Sequence, residues 1–301
     1  MRFAARAAMT RDMWTAIILA GERPGGDPFA ASQGVAAKAL IPVGGVPMLA
    51  RVARTLLDCP DIARVLVLAQ DVERLRADAG TRWLGDEPRI AFHVSVAGIA
   101  ASVRAVVGGA APWPVLVTTA DHALLTPAMV AAFLAAADAD VAFAVVERRV
   151  LLGAYPGNVR TWLRFRGGAW SGANLFALTG RRALAALDLW AGVERDRKSG
   201  WRLILKLGSG LLLGAMLRLL TLDAATARLG RRLRLTAKAV PLPFAEAAID
   251  VDKAADLLLA ERIITNRRHP REGGDPSLQA GVVGVRPSPI DRGDGSPPSR
   301  G

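Results

Sequence analysis

Cysteine, tyrosine, histidine and lysine are all scarce in this chain. Its 301 residues hold one cysteine, one tyrosine and three histidines. A lone Cys59 excludes an intrachain disulfide. It sits in Leu56-Leu-Asp-Cys59-Pro60, at an expected helix end, where a small buried apolar residue fits and a reducing cytoplasm is expected. The histidines do not suggest a soft-metal centre. His93 falls in an expected strand, His269 in a polar tail, and His122 beside an acid as a neighbour, not a ligand. Residues 1–13 carry Arg2, Arg6 and Arg11 but no apolar core, so they do not read as a signal peptide, and Met13 is a candidate start. The longest apolar stretch, 201–222, is broken by Arg202, Lys206 and Arg218 and loosened by Gly208, Gly210 and Gly214. Its unbroken part, 207–217, is too short to span a bilayer.

Positive charge is abundant. The net charge is +12, and residues 195–238 hold eleven Lys/Arg against Asp196 and Asp223. Such a segment is either a surface for anionic partners, including an acidic membrane surface, or a solvated helix face. No zinc-finger or RNP-type motif accompanies it, so nucleic acid is not an expected partner. The lysine shortage matters more. Only five of the thirty-nine basic residues are lysines, and Lys38 has no successor until Lys198.

Apolar runs and helical spacings alternate through the first half. Strands are expected at 16–19, 65–68, 90–96, 115–119 and 141–146, with helices at 47–57, 97–107 and 126–137. Runs apolar on both faces, alternating with helices, predict a three-layer α/β/α, mostly parallel, Rossmann-like (GT-A-like) sheet. The pattern changes at Val159. Paired strands are expected at 159–165 and 169–178, then helices at 179–190, 200–220 and 223–229. Strands return at 232–240 and 248–251, and an amphipathic helix at 254–264 closes the domain. The expected layout is an extension (1–13), one domain (14–265) with a smaller antiparallel and helical subregion (158–240), and a disordered tail (266–301) rich in Pro and Gly.

Four features fall where an open α/β sheet binds phosphorylated ligands, beyond the C-terminal ends of its strands. After the first strand, Leu19-Ala-Gly21 leads into a loop in which Gly21, Gly25 and Gly26 let backbone N–H groups approach phosphate, and Arg23 adds a charge. Lys38 follows as a flexible cation able to track charge on a phosphate. Asp121 ends the 115–119 strand, where a carboxylate suits Mg²⁺. Asp250 and Asp252, two apart, would face one side of a strand; one is expected to bind metal and the other to cap or support the next helix.

Leu19-Ala-Gly21, Lys38 and Ile41-Pro-Val-Gly-Gly-Val-Pro-Met-Leu49 together resemble the N-terminal signature of MobA-like nucleotidyltransferases, the molybdenum-cofactor guanylyltransferase type within the sugar-nucleotidyltransferase superfamily. Thr119-Ala-Asp121-His-Ala-Leu-Leu125 is similar to that family's strand-end metal aspartate, and Asp250-Val-Asp-Lys-Ala-Ala-Asp-Leu257 to its closing motif. The usual Gly-Gly-x-Ser-x-Arg-Met-Gly loop is here Gly21-Glu-Arg-Pro-Gly-Gly-Asp-Pro28, with longer spacing to Lys38. The resemblance implies Mg²⁺-dependent transfer of a nucleotidyl group from CTP or GTP to a phosphorylated small molecule or lipid head-group precursor. It implies base contacts from the backbone of Leu19, Ala20 and Gly21, metal ligation by Asp121 with Asp250 or Asp252, and an acceptor contact from Asn174 in Ser171-Gly-Ala-Asn174. Two alternatives are a nucleotide-sugar glycosyltransferase of related fold and a non-catalytic peripheral membrane protein. The expected location is cytoplasmic, with membrane association through residues 195–238.

Overall fold

The computed structural model of the chain describes residues 13–22, 25–95, 98–195 and 219–268. Ten strands are described: β1 (Trp14–Leu19), β2 (Pro42–Val43), β3 (Val46–Pro47), β4 (Ile62–Ala69), β5 (Ile90–Val94), β6 (Val115–Thr119), β7 (Val141–Glu147), β8 (Leu163–Phe165), β9 (Gly168–Leu178) and β10 (Ala237–Pro241). The helices are α1 (Pro28–Ser32), α2 (Met48–Leu57), α3 (Val72–Ala77), α4 (Ile99–Val106), α5 (Pro127–Ala136), α6 (Arg148–Ala154), α7 (Leu184–Arg195), α8 (Leu222–Arg232) and α9 (Ala254–Arg268). The main sheet runs β10-β7-β9-β6-β1-β4-β5, with β8 paired to β9. β9 is antiparallel to both β6 and β7, while the pairs β1–β4, β1–β6, β4–β5 and β7–β10 are parallel.

This is a three-layer, mostly parallel, Rossmann-like fold. Successive residues of a strand face opposite sides. In β1, Ala16 and Ile18 join the core beneath α2, α5, α6 and α9, where Leu49, Phe133, Leu151 and Ile263 lie. Ile17 joins a second core with Val103 of α4 and Leu187 of α7. Burial on both faces explains the unbroken apolar run that the sequence shows. Chain order reverses direction across the sheet at β1: β4 and β5 extend one way, β6 the other. The crevice above the ends of β1 and β6 is therefore the switch point of the fold.

Several elements differ from their expected form. The segment 248–251 is not a strand: a 3₁₀ turn occupies Ala245–Ala248, and Val251 N–H donates to Asp121 O (3.0 Å) at the end of β6. That backbone partner replaces a ladder. α8 reaches Arg232, so the last sheet strand begins only at Ala237. β8 is limited to its last three expected residues, Leu163–Phe165. α9 extends to Arg268, so residues 266–268, expected to be disordered, are helical. α3 and α6 are additional to the expected elements. The expected helix at 200–220 lies almost wholly outside the described residues, as do the extension at 1–12 and the tail from 269. Among the described residues, no helix is long and apolar enough to cross a membrane.

Gly230 shows how closely α8 meets the edge strand. A Cβ there would lie 2.8 Å from Leu235 O and 3.0 Å from Ala237 N, both backbone atoms that cannot swing away. Gly153, in α6, has nothing within 4 Å of its Cβ position. Gly230→Ala should therefore destabilise the protein by about 1–3 kcal/mol, the usual scale of overpacking. Gly153→Ala should be neutral or stabilise by up to about 1 kcal/mol through helix propensity. Urea denaturation of both variants checks the opposite signs.

Candidate active site

The loop after β1 is pinned before it reaches Lys38. Asp27 caps α1 by accepting from the N–H groups of Phe29 (2.8 Å) and Ala30 (3.2 Å), and Pro28 opens the helix. Gly25 and Gly26 adopt φ of +91° and +87°, a region open to glycine. Arg23 lies outside the described residues. The Glu22 N–H donates to Gln70 Oε1 (2.8 Å), and the Gln70 amide packs against Gly21, where a Cβ would come within 3.0 Å of it. Glu22 Oε1 accepts the Lys38 backbone N–H (2.9 Å), and Arg74 reaches Glu22 Oε2 (3.3 Å) and Ala36 O (3.1 Å). Glu22, Gln70 and Arg74 thus fix both ends of the loop to β4 and α3.

Lys38 opens a 3₁₀ turn and points into the crevice. Its Nζ donates to Asp121 Oδ2 (2.6 Å) and to Asp252 Oδ1 (2.5 Å). Burial alone would lower the Lys38 pKa, but Asp121 and Asp252 outweigh it and hold the ammonium above its ordinary value. Asp121 and Lys38 keep only 19% and 18% of their side-chain surface, whereas Asp252 keeps 58%. Asp250 lies within electrostatic range of both Asp121 and Asp252.

Asp250 is the least comfortable of the three. Its Oδ1 and that of Asp121 are shielded from solvent without a hydrogen-bond partner. Burial, then the Asp121 charge, pushes the Asp250 carboxyl up to about 8, against pulls from Arg160 and an Asn174 side-chain hydrogen bond. Asn174 takes φ of +42° in β9, where pairing with β7 loses register between Phe143 and Val145. Asn174, the residue expected to meet an acceptor hydroxyl, hydrogen-bonds the Asp250 side chain here. Arg160 donates to Asp250 O (3.1 Å) and lies 3.7 Å from the buried Asp256, whose Oδ2 accepts the Asp252 N–H (3.3 Å). Asp256 thus reaches back from the first turn of α9 to Asp252, while the side chain of Asp252, one of the two residues expected to cap or support this helix or to bind metal, is engaged with Lys38.

His122 lies fully buried under Asp121. Burial lowers its imidazole to about 4, so it is neutral, with Nδ1 3.4 Å from Thr118 Oγ1. Among the described residues no group of three His, Cys, Asp or Glu stands ready to hold a metal ion. The two orphaned buried oxygens of Asp121 and Asp250 nonetheless fit a hard divalent cation. Mg²⁺ is commonly held by one or two carboxylates and completes its shell with substrate phosphate and water.

Residues 16–209 match the family model described as the MobA-like NTP transferase domain. The chain belongs to this family. It is therefore a nucleotidyltransferase. Among solved structures, a hypothetical transferase from Thermus thermophilus is 28% identical, with a TM-score of 0.68 over 81% of this chain and 99% of that one. A 4-diphosphocytidyl-2C-methyl-D-erythritol synthase from Anaerococcus prevotii is 11% identical, with a TM-score of 0.52 over 84% of this NTP transferase and 96% of that chain. A CMP:2-keto-3-deoxy-manno-octonic acid synthetase complexed with CTP is 13% identical, with a TM-score of 0.51 over 85% and 99%. The last two share the fold. A search of curated proteins finds no match.

Glu22, Gln70, Arg74, Arg160 and Asp256 join the site without having been singled out in the sequence. Asp256 carried a signal, its place in the Asp250–Leu257 motif. Arg160 is one of thirty-four arginines and carried none.

Without a divalent cation, native Asp250 binds a proton that the unfolded chain releases above about pH 4. Stability should therefore fall as pH rises from about 4 towards about 8. His122 acts in the opposite sense and only below 6.5, its contribution being lost as pH falls from there towards about 4. Denaturation of the metal-free protein between pH 6.5 and 8 isolates Asp250. Asp250→Asn should flatten the slope in that window, and an unchanged slope would remove Asp250 as its source.

Proposed function

We propose that this NTP transferase joins the nucleoside monophosphate of CTP or GTP to a phosphorylated acceptor, in a Mg²⁺-dependent reaction that releases pyrophosphate. The observation that carries the reading is Lys38 Nζ held between Asp121 and Asp252 above the ends of β1 and β6, with Asp250 beneath. A cation at the orphaned oxygens of Asp121 and Asp250 would neutralise the α-phosphate and the carboxylates together.

The chain's own residues supply position and charge. The backbone of Leu19, Ala20 and Gly21 at the end of β1 seats the base, and the loop through Arg23, Gly25 and Gly26 receives the phosphates. Lys38 exchanges a carboxylate for a phosphate oxygen and follows charge onto the departing pyrophosphate. An acceptor phosphate oxygen forms a new bond to the α-phosphorus. The bond to the bridging oxygen of the β-phosphate breaks, and pyrophosphate takes the electron pair. An ionised phosphate nucleophile has no proton to lose, so no general base is required. Catalysis rests on alignment and electrostatics. Arg160 and Asn174 position Asp250, and Asp256 positions Asp252.

Pyrophosphate release measured with each of the four NTPs, Mg²⁺ and a panel of phosphate monoesters tests the activity. Lys38→Ala should lower kcat by about 10²–10³-fold, the scale of losing one preorganised donor, with the urea midpoint little changed. Wild-type turnover in that variant would refute the assignment. Mn²⁺ titration by electron paramagnetic resonance assigns the ligands. Asp121→Asn and Asp250→Asn should weaken Mn²⁺ by at least about tenfold, and Asp252→Asn by less, because Asp252 is exposed and engaged with Lys38. The reverse order would make Asp252 the ligand.

A further inference from the structure

The starts of β7 and β10 and the end of β9 meet at one corner of the sheet, where Val141 pairs with both Leu178 and Ala237. β10 is parallel to β7, and β9 is antiparallel to both β6 and β7, so this corner lies on the edge opposite the crevice. Asp140 ties it together. Its Oδ2 accepts the N–H (2.7 Å) and the hydroxyl (2.8 Å) of Thr236, and its carbonyl accepts the Thr179 N–H (3.1 Å).

Two sets of arginines flank that tie. Arg181 and Arg182 form the 3₁₀ turn that leads into α7, and Arg182 lies within electrostatic range of Asp140. Arg228 and Arg231, one turn apart on α8, and Arg234 just beyond its end approach from the other side, shortly before Thr236. All five residues are exposed. Among the described residues, the side chains of Arg181, Arg228, Arg231 and Arg234 have no ion-pair or hydrogen-bond partner. The acids at this corner are already engaged, Asp140 with Thr236 and Asp138 with Lys238 (2.6 Å).

Helix physics does not account for the set. Cations are disfavoured at a helix N-terminus, yet Arg181 and Arg182 stand directly before α7. Arg234 takes φ of +57° immediately after the Leu233 cap of α8, a position that glycine usually fills. Only Arg231, in the last turn of α8, gains from the helix end beside it.

The surroundings select the partner. Among the described residues no Phe, Trp or Tyr is exposed, so the corner offers neither a stacking platform for nucleic acid nor an aromatic anchor for a protein. A lipid surface asks only for positive charge, and each arginine near it adds to the attraction. α7 and α8 cover the same face of the sheet: Val141 packs with the core of α7, and Phe143, two residues on, with that of α8. In sequence, the residues that join these helices, 196–218, hold five basic residues, one acid and ten large apolar ones. Basic and apolar residues together suit an acidic membrane.

We infer that this corner is a docking surface for an acidic membrane. Arg181, Arg182, Arg228, Arg231 and Arg234 lie against the lipid head groups, and the crevice on the opposite edge stays open to solution. The surface is independent of the catalytic chemistry.

Co-sedimentation of the full-length protein tests it, with vesicles of phosphatidylcholine alone and of phosphatidylcholine mixed with phosphatidylserine. The protein should pellet with the mixed vesicles only, and high salt should release it. Arg181→Glu/Arg182→Glu and Arg231→Glu/Arg234→Glu should each weaken binding by about tenfold or more. Arg164→Glu/Arg166→Glu makes the same charge change at exposed residues of the β8–β9 hairpin, beyond the far end of β7, and should stay within about threefold of the wild type. Thermal denaturation reads the folding of each variant, and the milder Arg181→Gln/Arg231→Gln should still weaken binding by about threefold or more. No binding to the mixed vesicles, equal binding to neutral ones, or equal losses in the hairpin variant overturns the docking surface. A single-stranded RNA bound more tightly than the vesicles, and lost in the same variants, overturns the membrane as its partner.

Discussion

Two carboxylates, each with one oxygen shielded from solvent, brought together beyond the strand ends of a sheet repel each other unless a cation lies beside them. Asp121 and Asp250 form that pair, and much of the surrounding structure answers to it. Lys38 supplies one positive charge, 2.6 Å from Asp121, and Arg160 supplies another behind Asp250. What remains is an Asp250 held far above its ordinary pKa and two shielded oxygens without partners. A protein built for stability alone would replace such groups with apolar residues of similar volume. Their presence at the switch point of an NTP transferase fold is the reason to read them as binding machinery.

The pieces come from distant parts of the chain and are clamped by few bonds. Glu22 ties the Lys38 backbone to the loop, and Arg74 ties Glu22 to α3. The Val251–Asp121 backbone bond brings the closing segment onto the end of β6. Asp256 and Arg160 then hold that segment from its far side. Because β9 is inserted antiparallel between β6 and β7, its bulge can aim Asn174 at the same carboxylate.

Local pattern reveals the parts of this structure that are locally determined. β6 follows from a run whose first four residues are buried on both faces, and α5 from the Thr126 cap and Pro127. Lys38 and Asp121 stand out because one is rare in composition and the other ends a strand. The misread segments are those whose conformation is set by tertiary partners. Residues 248–251 have strand-like composition, but their hydrogen bonds go to a 3₁₀ turn and to Asp121. The Glu22–Arg74 latch joins residues fifty-two apart in sequence and has no local signal. Arg160 is hidden by the arginine richness of the whole chain, and the left-handed Asn174 depends on a bulge that only the β7 register creates.

The bond from Val251 to Asp121 also has a consequence for biosynthesis. The residues of β1, β4, β5 and β6, the loop and Lys38 are all translated long before residue 251. Until the closing segment arrives, Asp121 has neither its acidic neighbours nor the backbone donor that anchors them. The centre is completed only once residue 251 has been translated, so a product terminated before it would lack the finished cluster and the core residues that follow, Ala260 and Ile263 among them.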